Sequence, residues 1–489
     1  MMRLFLSILF YFYRKYNENS YLFFKKPKNI MKKHLFYLLI FLVCYQHLFA
    51  QSTQKIFSEN DRICFVGNSI THAGYYHNFV NLYYQLHYPK MYFETSNCGV
   101  AGNSAINVIK RIDVDVLNKK PNIVTLMLGM NDVNRELYST VTSDTSILNA
   151  RVRSIDLYKK NVDIIVQKFI KNNIKVILLT PSIYDQESKI EAQNMYGVND
   201  ALGICTEYLK DLSKRYNTKI VDFNGEMNLL NRRILPQNPD FKLAGSDRIH
   251  PDIWGHFIMA NIFLKTLESP KVVSSIEIDF RGKKLIDKQN CEVNNLKVQK
   301  TQLSFDCLEK SLPFPIDEKI KQALPYTNFE KEYNQEPLKI NNLSKGKYLL
   351  IIDNETIDTL TNVELNNGVN LAKYQNTPQY KQSALIYQLS MKRHALIANN
   401  LRDLAMFDFA ELMDMKNPND LEETKAILNK KVEDSKGKPW YEYMGMVTKQ
   451  YLVNKPNEAE TIRKTEEILA EIRKENKPRV HRFKVVRVD

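Results

Sequence analysis

Four short blocks of polar and small residues carry groups from which an acyl-transfer site can be built. In chain order they are Gly67-Asn68-Ser69-Ile70, Asn97-Cys98-Gly99-Val100-Ala101-Gly102-Asn103, Gly129-Met130-Asn131-Asp132 and Asp247-Arg248-Ile249-His250. A serine hydroxyl such as that of Ser69 is a poor nucleophile until a neighbouring base takes its proton, and imidazole titrates in the range where that exchange works. His250 supplies an imidazole. Asp247 lies three residues before it, so one turn of chain lets the carboxylate reach the ring nitrogen facing away from the serine, fixing the tautomer and stabilising the imidazolium. Gly102 suits a place where backbone must approach a substrate closely. The Asn131 amide can be aimed at a developing oxyanion, and losing one such donor costs on the order of 3 kcal/mol.

Each block taken singly has a plain structural explanation. Ser69 can cap the helix that follows it, Asp247 can cap an approach turn, His250 can be a satisfied core histidine, and Asn131 a turn residue. Their joint occurrence in this order is what argues for chemistry. Asp132 is assigned to structure, and His72, His77 and His256 to surface or packing roles.

The elements that must position these blocks are readable as a βα alternation. Apolar strands are expected at 63–66, 92–95, 123–128, 175–180 and 219–223, with helices at 76–87, 105–117, 155–171, 201–216 and 253–267. The uninterrupted apolar run at 123–128 is of the kind buried on both faces of a parallel sheet. Strands separated by helices imply a doubly wound sheet with right-handed crossovers, whose ligands lie beyond the carboxyl ends of the strands. Three of the four blocks follow predicted strands directly, and the fourth just precedes the last helix.

This set of blocks resembles the SGNH (GDSL) hydrolases, whose four sequence blocks supply Ser, Gly, Asn and His. The resemblance covers roughly residues 60–268. It implies an α/β, flavodoxin-like three-layer fold with a doubly wound parallel sheet, and a Ser-His-Asp triad with an oxyanion hole. Carried over, Ser69 is the nucleophile, His250 the base and Asp247 the residue that orients the imidazole. The oxyanion donors are the backbone N–H groups of Ser69 and Gly102 and the side-chain amide of Asn131. One departure is visible: the first block usually reads Gly-Asp-Ser, and here Asn68 replaces the Asp, which puts the hydrogen bonding of that turn in question.

The 489-residue length exceeds one compact core. The expected division is an N-terminal extension and signal peptide over 1–50, the hydrolase domain over 57–270, a small β-rich module over 271–370 and a helical region over 371–489. Residues 31–50 hold two lysines, an apolar run and a small residue at Ala50, the layout of a secretory signal peptide. A retained anchor is the alternative, and Met31 reads as the true start. The net charge is +14, but residues 1–50 contain eight Lys/Arg and one Glu, so half of it sits there. The remainder is spread out, without the patch or stripe of a nucleic-acid binder. No nucleic-acid partner is expected, and no stable membrane span after signal cleavage. Five cysteines follow Ala50 (Cys64, Cys98, Cys205, Cys291, Cys307), an odd number that makes no disulfide framework, although Cys291 and Cys307 could pair. No CxxC or HExxH spacing appears, so neither metal nor cofactor is expected.

The expected partner is an acylated small molecule or polysaccharide. The stretch 97–106 resembles that of rhamnogalacturonan-type acetylesterases, and no long apolar segment suggests shelter for a fatty acyl chain. An exported esterase removing O-acetyl groups from a glycan is therefore the leading reading. A lipase, lysophospholipase or thioesterase of the same fold stands beside it. So does a glycan-binding or scaffold protein whose hydrolase domain is inactive.

Overall fold

The computed structural model describes residues 55–489 apart from 416, 418, 419 and 439, so the expected signal peptide and extension lie outside the described residues. The first half is a three-layer α/β sandwich. Five parallel strands, β1 (Arg62–Gly67), β2 (Glu94–Gly99), β3 (Ile123–Met127), β4 (Lys175–Leu179) and β5 (Lys219–Val221), are ordered β2-β1-β3-β4-β5. That order is flavodoxin-like, with the switch of winding direction between β1 and β3. Alternate strand residues enter opposite cores, as a period of two requires. Ile63, Phe65, Ile123, Met127, Ile177 and Leu179 pack with Phe79, Tyr83, Phe257 and Phe263. Cys64, Val66, Val124, Leu126, Val176 and Leu178 pack with Val108, Ile165, Phe169 and Leu209 on the other face.

The helices of this half are α1 (Ser69–Ala73), α2 (Tyr75–His87), α3 (Ala105–Arg111), α4 (Thr145–Lys171), α5 (Val198–Tyr216), α6 (Phe223–Ile234) and α7 (Ile253–Leu267). Four differ from the expected elements. Helix α4 begins ten residues before the expected 155, because Asp144 caps it, its carboxylate accepting from Ser146 N at 2.7 Å. Helix α6 has no expected counterpart. It is capped by Asp222, which accepts from Gly225 N at 2.8 Å. The expected helix at 105–117 is α-helical only to Arg111 and continues as a π-helical turn, Ile112–Val116. One-turn α1, which carries Ser69, is likewise absent from the elements expected on periodicity. Strand β2 lies at Glu94–Gly99, a few residues beyond the expected 92–95, and its first four residues are polar.

The second half begins with two further sheets. Strands β6 (Ser275–Asp279), β7 (Lys284–Gln289), β10 (Pro337–Asn341) and β13 (Val369–Asn370) form one, ordered β13-β10-β6-β7. Strands β8 (Cys291–Val298), β9 (Gln302–Glu309), β11 (Lys347–Ile352), β12 (Glu355–Thr361) and β14 (Val480–Arg487) form the other, ordered β12-β11-β14-β9-β8. Their inner faces share one core that includes Ile276, Ile340, Phe305, Leu350 and Phe483. Strand β14 lies at the end of the helical region expected over 371–489 and adds a strand to it. Its alternation of inward His481, Phe483 and Val485 with Arg and Lys is a strand pattern masked by its charge. The longer helices between β13 and β14 are α8 (Pro378–Leu396), α9 (Leu421–Asp434), α10 (Tyr441–Asn454) and α11 (Glu458–Glu475). Ile386 and Tyr387 of α8 and Ile468 and Ile472 of α11 join the same core as α2 and α7. Cys64, Cys98, Cys205, Cys291 and Cys307 are all buried free thiols. Among the described residues, no helix is long and apolar enough to cross a membrane.

Candidate active site

Ser69 follows directly from the end of β1 and opens α1. The turn is tight: a Cβ on Gly67 would lie 2.2 Å from Thr71 Oγ1 and 2.8 Å from Met127 O, so only glycine fits there. Asn68, where the resembled family has Asp, is buried and accepts from Ile70 N at 3.2 Å through its side chain. The amide oxygen thus does the capping work that a carboxylate would do, and the turn survives the replacement.

Block four arrives from the far end of the domain. Ser69 Oγ lies 2.7 Å from His250 Nε2, and His250 Nδ1 lies 2.5 Å from Asp247 Oδ2. A carboxylate can only accept, so the ring hydrogen belongs on Nδ1, leaving Nε2 to accept from the serine hydroxyl. The other Asp247 oxygen accepts from the backbone N–H of Ile249 at 3.0 Å and of His250 at 2.9 Å. Partial burial pushes the Asp247 carboxyl up, but these bonds and the adjacent imidazole outweigh it and hold the group down at about 2. Both side chains of the dyad are about half exposed, at 46% and 51%.

One residue of the fourth block to which the sequence reading gives no role holds this turn. Arg248, between Asp247 and His250, is buried and has φ +70°, a left-handed conformation that is strained for a side chain of its size. Its guanidinium donates to the carbonyls of Ala192 (2.9 Å), Asp185 (2.8 Å), Ser188 (3.0 Å) and Ile190 (2.8 Å), while its own carbonyl accepts from Asp185 N. The loop after β4 is wrapped around this one side chain. Nothing in the sequence separates such an arginine from a surface one.

The second and third blocks are joined to each other. Asn131 Nδ2 donates to Asn103 O at 2.9 Å, and its Oδ1 accepts from Arg135 Nη1 at 2.8 Å. The guanidinium therefore fixes which end of the amide points where, and the second N–H of the amide is left over for another acceptor. Gly102 has φ +75°, is exposed, and has no atom within 4 Å of where a Cβ would stand. Asp132 is structural, as expected: it accepts from Ala105 N at 2.7 Å and Gly129 N at 2.9 Å, clasping the two blocks. Burial pushes its carboxyl up to about 6 against those two donors.

The neighbouring histidines serve packing. His77 stacks on Phe65 with ring centroids 4.5 Å apart, and its Nε2 lies 3.1 Å from Thr71 O. His256 accepts from Tyr76 N at 3.3 Å. Burial lowers both imidazoles to about 3, so they stay neutral at working pH. His72 is buried with Nδ1 accepting from Ala101 N at 3.2 Å. The Asn199 side chain is spent on Tyr184 N and Asn228.

Residues 63–263 match the family model described as GDSL-like lipase/acylhydrolase. An acetylxylan esterase from Geobacillus stearothermophilus is 24% identical over 226 residues, 42% of this chain and 94% of that protein. A solved gut microbial diltiazem-metabolizing enzyme is similar at a TM-score of 0.81 and 28% identity, over 89% of this chain and 99% of its own. The second likeness therefore extends well past residue 263, into the two sheets and the helices that follow.

Proposed function

From a chain that carries a GDSL-like lipase/acylhydrolase domain of the SGNH hydrolase superfamily, and is a carboxylic ester hydrolase, we propose a metal-free serine esterase that removes O-acetyl groups from a glycan outside the cytoplasm. The observation that carries this reading is the unbroken chain Ser69 Oγ, His250 Nε2, His250 Nδ1, Asp247 Oδ2, with steps of 2.7 and 2.5 Å across the heteroatom gaps. Ser69 Oγ attacks the acyl carbonyl while His250 Nε2 takes its proton. The imidazolium so formed is stabilised by Asp247, which remains ionised. The tetrahedral oxyanion is received by the N–H groups of Ser69 and Gly102 and the second N–H of Asn131. His250 then returns the proton to the departing sugar hydroxyl. Water, activated by the same ring, releases acetate from the acyl-enzyme.

The half-exposed dyad favours a bulky, polar substrate carrying a short acyl group, since a long chain would need an apolar shelter around it. The likeness to an acetylxylan esterase supports the same substrate class. A second reading, a small-molecule esterase acting on drug-sized compounds, is favoured by the likeness that covers 89% of this chain. The signal-peptide layout of 31–50 supports export.

Acetate release from acetylated xylan and other acetylated polysaccharides, run beside p-nitrophenyl acetate and a long-chain p-nitrophenyl ester, tests the proposal. Polysaccharide turnover that vanishes in Ser69→Ala supports it. Cleavage of small acetates alone favours the second reading, and a preference for the long-chain ester favours a lipase. No turnover of any ester points to a binding protein, and full activity in Ser69→Ala removes that residue from the mechanism.

A further inference from the structure

An oxyanion hole works only if its donors are already in place when charge develops. The loop Gly99–Asn103 is poorly suited to hold itself, because its tip is an exposed glycine with φ +75°. Its contacts show what restrains it. Val100 N donates to Gly67 O at 3.1 Å, and Arg111 Nε donates to Asn103 Oδ1 at 2.8 Å. Asn131 Nδ2 on Asn103 O and Asn97 Oδ1 on Gly99 N add to these from within the domain, and two further restraints trace to a single turn some 300 residues further along the chain. Arg402 Nε donates to Gly99 O at 2.9 Å. Ala398 O lies 3.0 Å from His72 Nε2 and can only accept, which puts the ring hydrogen on Nε2 and leaves Nδ1 bare. That bare nitrogen is what accepts the Ala101 N–H.

Resting on the esterase reading above, we propose that Arg402 is a positioning residue for catalysis, and that the C-terminal helical region completes the active site by fixing the oxyanion loop at Gly99 and, through His72, at Ala101. Ala398 and Arg402 share one π-helical turn, Ile397–Arg402. The guanidinium of Arg402 forks onto Asp115, 2.9 Å to each oxygen, and Asp115 sits in the other π-helical turn, Ile112–Val116. π-turns interrupt regular hydrogen bonding and concentrate at functional sites. Here two of them meet through a buried ion pair, with Asp115 at 1% and Arg402 at 6% exposure. Asp115 in turn binds Arg111, whose Nη2 reaches Gly67 O at 3.3 Å, two residues before Ser69. The C-terminal region thus grips the loop and, through Asp115 and Arg111, the strand end that delivers the nucleophile. The rest of its attachment lies elsewhere, as in Ser390 Oγ to Asn78 Oδ1 at 3.2 Å.

The test compares Arg402→Met, Arg402→Lys and Ser390→Ala, with p-nitrophenyl acetate kinetics and thermal midpoints for each. Asp115 has Arg111 and Lys119 as further partners, so a folded protein is expected from both Arg402 variants. Arg402→Met is expected to lose kcat by on the order of tenfold or more with KM within about twofold, the signature of misplaced groups. Lysine keeps the charge beside Asp115 but lacks the planar fork that makes two bonds to Asp115 and one to Gly99 O at once, so Arg402→Lys regains thermal midpoint more than kcat. Ser390→Ala lowers the midpoint with kcat unchanged. Wild-type kcat in Arg402→Met overturns the inference, as does kcat loss that merely tracks stability across all three variants. If Ser69→Ala is inactive while Arg402→Met is intact, only this inference falls. If Ser69→Ala is fully active, the esterase reading beneath it falls as well. Should Arg402→Met yield no folded protein, Arg402→Lys decides between the two outcomes by the same split of kcat from thermal midpoint.

Discussion

The two sides of the site are built in opposite ways. Around Ser69 and the proposed oxyanion loop, strand ends β1, β2 and β3 are laced by one buried and two half-buried side chains: Arg111 between Asn103 and Gly67, Asp132 between blocks two and three, Arg135 on Asn131. Across the cleft, the Asp247–His250 turn is half exposed and hangs on one buried arginine. The contrast has a chemical reason. Donors that meet a developing negative charge are effective only when they cost no reorganisation. The proposed base must give a proton to a departing alcohol and then take one from water, so it needs access to solvent.

If that division is right, the damage done by substitution should follow it. Ser69→Ala should reduce kcat by about 10⁴-fold or more, measured on p-nitrophenyl acetate, because the whole proton relay loses its purpose. Asn131→Ala should reduce kcat by about 10²- to 10³-fold with little change in KM. A change confined to KM would take Asn131 out of the oxyanion hole. Arg248→Ala frees four carbonyls from one partner. It should lower stability by about 1–3 kcal/mol in urea unfolding and lower kcat through the turn rather than through binding. An unaltered kcat would show that the Asp247–His250 geometry is self-supporting.

Proton linkage separates the two sides further. Asp247 is held down at about 2, so it stays ionised through the working range and adds no step to the rate profile there. A flat profile between about pH 5 and 8 would argue for a different base. Asp132 is pushed the other way, up to about 6 from 3.8. The folded chain then binds that proton more tightly than the unfolded chain, so this group's contribution to stability falls as pH rises from roughly 4 to 6 and is level above. Thermal midpoints of Asp132→Asn and wild type should diverge by a pH-dependent amount only inside that window. A constant offset would mean Asp132 stays ionised throughout.

Much of the α/β half was legible in the sequence because its signals are local. Apolar runs at 63–66, 123–128 and 175–180 became β1, β3 and β4, and the polar motifs after them fell at the carboxyl edge that a doubly wound sheet presents. Strand β2 is hard to place from sequence because most of it is polar, and the start of α6 is hidden because Phe223 reads as the tail of the expected strand 219–223. Strand β14 lies concealed among charged residues at the end of a helical stretch.

The identity of the proposed reacting groups is a matter of residue type and order, and both are written in the chain. A hydroxyl, an imidazole with a carboxylate three residues away, a glycine and an amide name the chemistry before any fold is known. What holds them is another matter. Arg248 in a left-handed turn, Arg135 on an amide, and Arg402 from a distant helical region look in sequence like any other arginine. Their roles come from burial, which strips away water and obliges each guanidinium to find carbonyl or carboxylate partners. Only the folded chain brings those partners within reach.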